Sequence, residues 1–545
     1  MTATDSIAAL RGAVEGAART LHEADPSEPR PTLERPPKPE LGDYSTNAAM
    51  LLARHLSDNP RAVAERLRGQ LEADGGLAAN LKRIEVAGPG FLNFFLADSW
   101  YLRALGDLLE AGENLGPAPT ASPEKVLVEF VSANPTGPLH VGGGRHAAYG
   151  DSLVRLLEAA GHEVEREYYV NDAGSQIERF AESIAARMRG EEPPEEGYAG
   201  EYVAEIAAKL QAEGADPPDL EALRKRGIEL MLDEVRETLE RFGVRFDRFF
   251  SERSLYEKGE VDAALADLEQ RGHTYRSEGA LWLRTTKFGD DKDRVLIRSN
   301  GEATYFMPDI AYHWDKLQRG FDRLVDVLGA DHHGYVARIR AAIAALGGNP
   351  DAFEVPIMSL VHVVEGGERV QMSKRTGDFI TLDELLDDIG IDATRWFMLW
   401  RSHETTVDLD LEVARSQSSE NPVYYVQYAH ARIASILRKA EAEGAAAPGT
   451  PAERAPLQES EKLLIKRLLE FPEEVRTAAA RRAPHRICAY STAVAADFHA
   501  FYRDCQVVGA EGEGVEASRL ALCLAAKRTI AAALGLLGIS APERM

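Results

Sequence analysis

Two short segments carry residue types that suit phosphate chemistry. The first is Pro138-Leu139-His140-Val141-Gly142-Gly143-Gly144. Small residues at a strand-to-helix turn let backbone N–H groups and a helix N-terminus approach phosphates closely. An imidazole beside them can donate to a phosphate oxygen. A glycine cluster alone more often marks a plain turn with a buried histidine. The second is Met372-Ser373-Lys374-Arg375, which follows two alternating runs flanking Gly366-Gly367. Those runs signal a hairpin. Thr381 with Glu384 reads as a capping box that opens a helix. A Lys and an Arg on a loop between strand and helix suit closure over a triphosphate. The plain alternative is a solvated basic turn.

The first segment sits in a βαβ pattern. LVEFV (Leu127 to Val131) is a continuous apolar run with one carboxylate, as in a strand buried on both faces. The loop SANPTGPLHVGGG follows. An amphipathic helix then runs from Arg145 to Ala160 and stops at Gly161. EVEREYYV (Glu163 to Val170) is the second strand. Residues 175–275 are mostly charged helix and read as an insertion. The sheet pattern resumes at Leu281 to Arg284, Val295 to Arg298, Leu324 to Leu328 and Ile357 to Val364.

Upstream, Ile7, Leu10, Val14 and Ala18 recur at helical spacing within residues 1–30, and Asn47 to His55 resumes a helix. Ile84 to Leu96 is aromatic-rich β material broken by Gly-Pro-Gly. The predicted organisation is an N-terminal α+β domain (1–115), an α/β domain (116–410) split by an insertion at about 175–280, and an all-α domain (411–545).

Composition bounds the rest. A chain of 545 residues suggests about three or four domains. With 44% hydrophobic and 28% charged residues, it can bury a full core. The formal charge, 63 − 88 = −25, excludes a uniformly basic nucleic-acid coat but not a local basic face. Cys488, Cys505 and Cys523 form neither a disulfide framework nor a CxxC zinc pair. No apolar run approaches the ~18 residues a membrane span needs, and Met1 to Arg11 is too polar for a signal peptide. A cytoplasmic protein is expected.

Taken together, His-x-Gly after the first strand and Met-Ser-Lys near the end of the same domain resemble the HIGH and KMSKS signatures of class I aminoacyl-tRNA synthetases. VEFVSANPTGPLHVG (Val128 to Gly142), REYYVNDAGSQI (Arg166 to Ile177), TYFMPDIAYHWDK (Thr304 to Lys316) and GADHHGY (Gly329 to Tyr335) resemble the arginyl-tRNA synthetase family. LGDYSTNAAM, GPGFLNFFL, YVQYAHARIASIL and LGLLGISAPERM extend the resemblance to both ends.

The resemblance implies a Rossmann-type α/β catalytic domain, an N-terminal domain that reads the tRNA elbow and a helical anticodon-binding domain. It implies ATP-dependent formation of arginyl-adenylate, transfer to the terminal adenosine of tRNA-Arg, and activation that requires bound tRNA. Mg²⁺ is expected with ATP, with no dedicated metal cage, and the chain is expected to be a monomer. Residue by residue, it places Glu129, Ser132, Asn134, Tyr305, Asp309 and His333 around arginine. Asp309 would receive the guanidinium, for which a fixed carboxylate is chemically suited. His140, Gly142, Gly329, His332, Met372, Ser373 and Lys374 fall on the ATP side, with His140, Gly142, Gly143 and Lys374 in the catalytic signatures. Phe91 and Asn93 match elbow-reading positions. Tyr428, His430 and Arg432 are offered to the anticodon loop, and Arg481, Arg482, His485 and Arg486 form a local basic patch.

Two positions depart from the pattern. Gly143 replaces the second signature histidine and Gln371 the first signature lysine. Loss of one such donor typically costs about 10²–10³ in rate. His146 and Arg375 are the candidates to compensate, the plain alternative for each being a solvated surface residue. A catalytically decayed RNA-binding relative is the rival reading. The retained His140, Lys374 and arginine-pocket pattern argue against it.

Overall fold

The computed structural model describes residues 6–22, 30–370, 380–445, 451 and 456–545. The N-terminal helix runs Ser6–Leu21 and buries Leu10, Val14 and Ala18, the stripe the spacing predicts. With Ala48–Leu56 and Pro60–Ala73 it packs beside a three-stranded antiparallel sheet, in which Phe91–Leu96 lies between Tyr44–Thr46 and Leu81–Ala87.

The central sheet has five parallel strands. Their order is Phe353–Glu354, Arg323–Asp326, Lys125–Glu129, Glu163–Val170 and Arg248–Ser251. Lys125–Glu129 is buried along Val126, Leu127, Val128 and Glu129, as a doubly covered parallel strand must be. Glu163–Val170 keeps its predicted bounds.

Two readings from sequence change. Arg248–Ser251 falls inside the span read as insertion, yet it is an edge strand of the central sheet. Conversely, Thr274–Ser277, Ala280–Leu283 and Arg294–Ile297 form a separate antiparallel sheet rather than extending the central one. Ser175–Met188, Glu201–Ala212 and Leu220–Arg241 are helices, as predicted.

The chain returns through the hairpin Val361–Glu365 and Glu368–Arg369, with Gly366 (φ 60°) and Gly367 (φ 80°) at its tip. Two consecutive positive φ angles suit glycine. Thr381 and Glu384 form the predicted capping box on helix Leu382–Leu399, a motif worth about 1 kcal/mol. Among the described residues, five helices, from Pro422–Ala442 to Val515–Leu536, build the C-terminal region. They lean on the N-terminal one through Lys466–Asp43 (3.0 Å), Lys462–Asp98 (2.8 Å) and Arg528 Nη1 donating to Leu109 O (3.1 Å).

Candidate active site

The central sheet reverses its order of growth between Lys125–Glu129 and Arg323–Asp326. Glu129 and Asp326 are the last register pair of those strands. The crevice beyond the carboxyl ends at such a switch point is where open α/β sheets bind ligands. The strand ends two residues before LVEFV does, because Val131 (φ 69°) and Ser132 (φ 42°) turn through the left-handed region. That turn brings Ser132 Oγ back to donate to Glu129 Oε1 at 2.9 Å and to accept the Tyr169 N–H at 3.1 Å.

Lys316 lies fully buried on helix Phe306–Gln318 and donates to Glu129 Oε2 (2.6 Å) and Asp326 Oδ1 (2.8 Å). Burial pushes its ammonium down, but the fields of Asp326, Glu129 and Glu167 outweigh this and raise it. Glu129 therefore reaches the crevice with one oxygen on Ser132 and the other on a lysine. Its negative field is largely met inside the protein.

Asp309 stands in the first turn of the same helix. It is not the cap, a position held by Tyr305 with no side-chain bond. Its carboxylate accepts from Tyr335 OH. Burial raises the Asp309 carboxyl; Tyr335 and His313 oppose that and Glu129 adds to it. Glu252, on helix Glu252–Glu257, accepts from Tyr169 OH at 2.9 Å. Its carboxyl is also raised, by burial first and then by Asp309 and Asp172. Among the described residues neither Asp309 nor Glu252 has a Lys or Arg partner. Glu252, Tyr335 and Lys316 were not singled out from the sequence. Only Tyr335 and Lys316 carried a signal, being the last residues of the segments GADHHGY and TYFMPDIAYHWDK.

The remaining arginine-side residues face solvent. Tyr305 is 80% exposed. Asn134 is exposed and donates from Nδ2 to Gln176 Oε1 at 2.7 Å. His332 and His333 lie exposed on the 3-10 turn Ala330–Tyr335, His332 beside Asp331 at 3.6 Å. Gly329 pairs with Met358 at the head of that turn. A Cβ there would come within 2.7 Å of Asp331 Oδ1.

On the phosphate side, the helix begins at Val141, four residues before the predicted Arg145. Its glycine trio is therefore first turn, not loop. The reason is His140, whose Nδ1 accepts the N–H groups of Gly142 (3.0 Å) and Gly143 (3.4 Å), donors that a helix start leaves unpaired. A Cβ on Gly142 would meet His140 at 2.8 Å, and one on Gly144 would meet Leu382 at 2.8 Å. At Gly143 it would meet only Leu139 at 3.5 Å, an ordinary contact. Glycine at the departure position is not a steric requirement.

The first signature segment is tied by backbone to the Thr381 capping box. Leu382 N donates to Leu139 O at 2.7 Å, and His140 bridges Thr381. Gln371, Met372, Ser373, Lys374 and Arg375 lie outside the described residues. His146 is half-buried rather than solvated. Burial, then His140 and Arg145, push it down to about 4, so the ring is neutral near pH 7.

The residues offered to RNA divide. Phe91 is 38% exposed, so it does not serve as core. Asn93, two residues along the same strand face, is 5% exposed and accepts from Ser45 Oγ at 2.7 Å. Tyr428 stacks between Tyr424 (6.3 Å) and His499 (6.1 Å), with the Arg432 guanidinium 5.3 Å from its ring. Tyr424, Tyr425, Tyr428 and His499 line a cavity of about 470 Å³. His430 turns inward instead and meets Pro542 O at 2.8 Å. The basic patch is partly neutralised, with Arg482 on Glu354 and Arg486 on Glu474, each at 2.8 Å.

Three family models cover most of the chain. They are the arginyl tRNA synthetase N terminal domain at residues 7–96, the class I (R) tRNA synthetase catalytic domain at 105–193 and 194–404, and the DALR anticodon binding domain at 426–545. An arginine–tRNA ligase of Desulforudis audaxviator is 48% identical over 98% of both chains. That of Geobacillus kaustophilus is 47% identical over 94% of both. The Thermus thermophilus arginyl-tRNA synthetase structure superposes with a TM-score of 0.77 at 28% identity, covering 99% of this chain and 100% of that one. The chain belongs to the arginyl-tRNA synthetases, class I enzymes that act as arginine–tRNA ligases.

Proposed function

We propose that Asp309 and Glu252 together read the guanidinium of L-arginine, with Tyr335 orienting Asp309 and Tyr305 closing over the side chain. The carrying observation is that burial raises both carboxyls and that neither has a Lys or Arg partner among the described residues. A guanidinium supplies that cation and a planar fork of donors. Glu129 and Ser132, fixed at the strand end, stand on the side of the α-amino group. Asn134 and His333 come to that end from the solvent-exposed rim.

ATP, as its Mg²⁺ complex, takes the phosphate side. On this reading its phosphates compete with the His140 ring for the N–H groups of Gly142 and Gly143, freeing the imidazole to donate. Gly329 and His332 border the adenosine. Met372, Ser373 and Lys374 act on charge that develops at the phosphates, with Gly143 and Gln371 offset by neutral His146 and by Arg375. Reaction is in-line attack of the arginine carboxylate on the α-phosphate, expelling pyrophosphate. The acyl group then passes to the terminal adenosine of tRNA-Arg. No covalent enzyme intermediate is required, so the protein contributes positioning and charge stabilisation.

Phe91 offers a stacking face to an unstacked elbow base, with Asn93 beside it. Tyr428 and Arg432 offer the same to the anticodon loop. This division of labour follows the three regions 1–115, 116–410 and 411–545. The protein is proposed to work in the cytoplasm as a monomer. Among the described residues no helix is long and apolar enough to cross a membrane.

Asp309→Asn tests the reading. Arginine binding should weaken by about 1.5–3 kcal/mol, the worth of a hydrogen bond to a charged group, with ATP binding unchanged. Equal loss of both ligands in equilibrium titrations would mean that Asp309 only holds the fold.

A further inference from the structure

His313 follows Asp309 by one helical turn and is buried. Both ring nitrogens face acceptors. Nδ1 lies 2.8 Å from the Asp309 carbonyl oxygen, and Nε2 lies 3.1 Å from Asp326 Oδ2. A carbonyl only accepts, so Nδ1 must carry a hydrogen. A second hydrogen must lie between Nε2 and Oδ2, since otherwise two lone pairs would face each other in a buried site. The other Asp326 oxygen accepts from Lys316. Burial pushes the Asp326 carboxyl up, but Lys316 and His313 outweigh it and hold it below its ordinary value. The carboxyl thus gives up the proton and the ring keeps it. Counting charges, Lys316 and His313 supply two positive and Glu129 and Asp326 two negative, while the third nearby carboxylate, Glu167, is met by Arg319 at 2.7 Å.

We propose that His313 is a positioning residue, protonated at both nitrogens, that fastens the Asp309 backbone to the sheet through Asp326 and, with Lys316, cancels the charge of Glu129 and Asp326. The proposal rests on reading Asp309 as the guanidinium ligand. The ring does mechanical and electrostatic work at once. Edge contacts with Tyr312 (5.7 Å) and Phe353 (5.3 Å) fix its plane. Its two N–H groups then set where the first helical turn, and so the Asp309 carboxylate, stands relative to the switch point. The closed charge count leaves Asp309 and Glu252 to define the electrostatic preference of the crevice.

The full-length protein carrying ¹⁵N-labelled histidine tests this at neutral pH, with the His313 ring signals identified by their loss in His313→Gln. Directly bonded hydrogens on both ring nitrogens are expected. A ring with one bare nitrogen overturns the proposal; should His313→Gln not fold, the same signals are assigned by through-bond correlation in the wild-type chain. In titrations with L-arginine, His313→Gln should weaken binding about tenfold while leaving ATP binding unchanged, because an amide cannot span both acceptors. A folded His313→Gln with normal arginine affinity, beside a large loss in Asp309→Asn, overturns the positioning role alone. Normal affinity in Asp309→Asn removes the reading on which it rests.

Discussion

Two acidic groups stand along helix Phe306–Gln318, one toward each end, and meet opposite fates. At the floor, Glu129 and Asp326 end adjacent strands, and Lys316 spans them with bonds of 2.6 and 2.8 Å. At the mouth, burial raises the carboxyls of Asp309 and Glu252, Asp309 raises Glu252 further, and both are met by tyrosine hydroxyls. Residue type does not separate the two groups; what separates them is whether the protein supplies the counter-charge. A carboxylate already paired inside the protein holds structure. One left unpaired at a crevice is a site for a cation from outside.

The largest expected effect breaks the floor. Lys316→Met should cost about 3–5 kcal/mol of stability, because it strands two buried carboxylates. Adding Asp326→Asn should recover part of that loss in denaturant melts. A single-variant cost near that of a surface change would mean that the floor is solvated and not paired.

A smaller effect separates the groups by pH. Asp309 and Glu252 are raised above their ordinary 3.8 and 4.5, so they take up protons at a higher pH than free carboxyls. Arginine affinity should therefore fall on acidification while ordinary carboxyls are still ionised, as the two groups' own contribution to stability improves. Asp326 is lowered, so its contribution is present above its unfolded value and is lost only as pH falls through its folded one. Arginine titrations and thermal melts on the same samples should therefore part company, with binding lost before the fold. Coincident loss would place both groups in one environment.

The smallest effect sharpens the mouth alone. Tyr335→Phe removes one hydroxyl from Asp309 and should cost about 0.5–1.5 kcal/mol in arginine binding, with stability hardly changed. An effect on melting larger than on binding would return Tyr335 to the core.

Features that depend on neighbouring residues are legible in the sequence. The Gly366-Gly367 hairpin, the Thr381–Glu384 capping box and the Leu10-Val14-Ala18 stripe each rest on residues a few positions apart. Glu129, Ser132 and Asp309 are singled out by the family pattern; the first two stand at the end of a central strand and the third in the first turn of the neighbouring helix. Partners fixed only by topology were not legible. Nothing in the sequence pairs Lys316 with Glu129, 187 positions away. Arg248–Ser251 was missed because a short strand in a charged stretch has too little pattern to stand out. The helix start was misjudged because an imidazole, an unusual cap, begins the helix at Val141. The burial of Asn93 on a central strand and its bond from Ser45 are likewise set by topology.

The most direct test compares L-arginine with L-citrulline, in which a neutral urea replaces the guanidinium at nearly constant shape. Binding of each is measured to the wild-type chain and to Asp309→Asn. The wild type should prefer arginine strongly, and Asp309→Asn should lose most of that preference by losing arginine affinity rather than gaining citrulline affinity. A preference unchanged by the substitution would contradict the account, and would move recognition of the positive charge away from the mouth of the crevice.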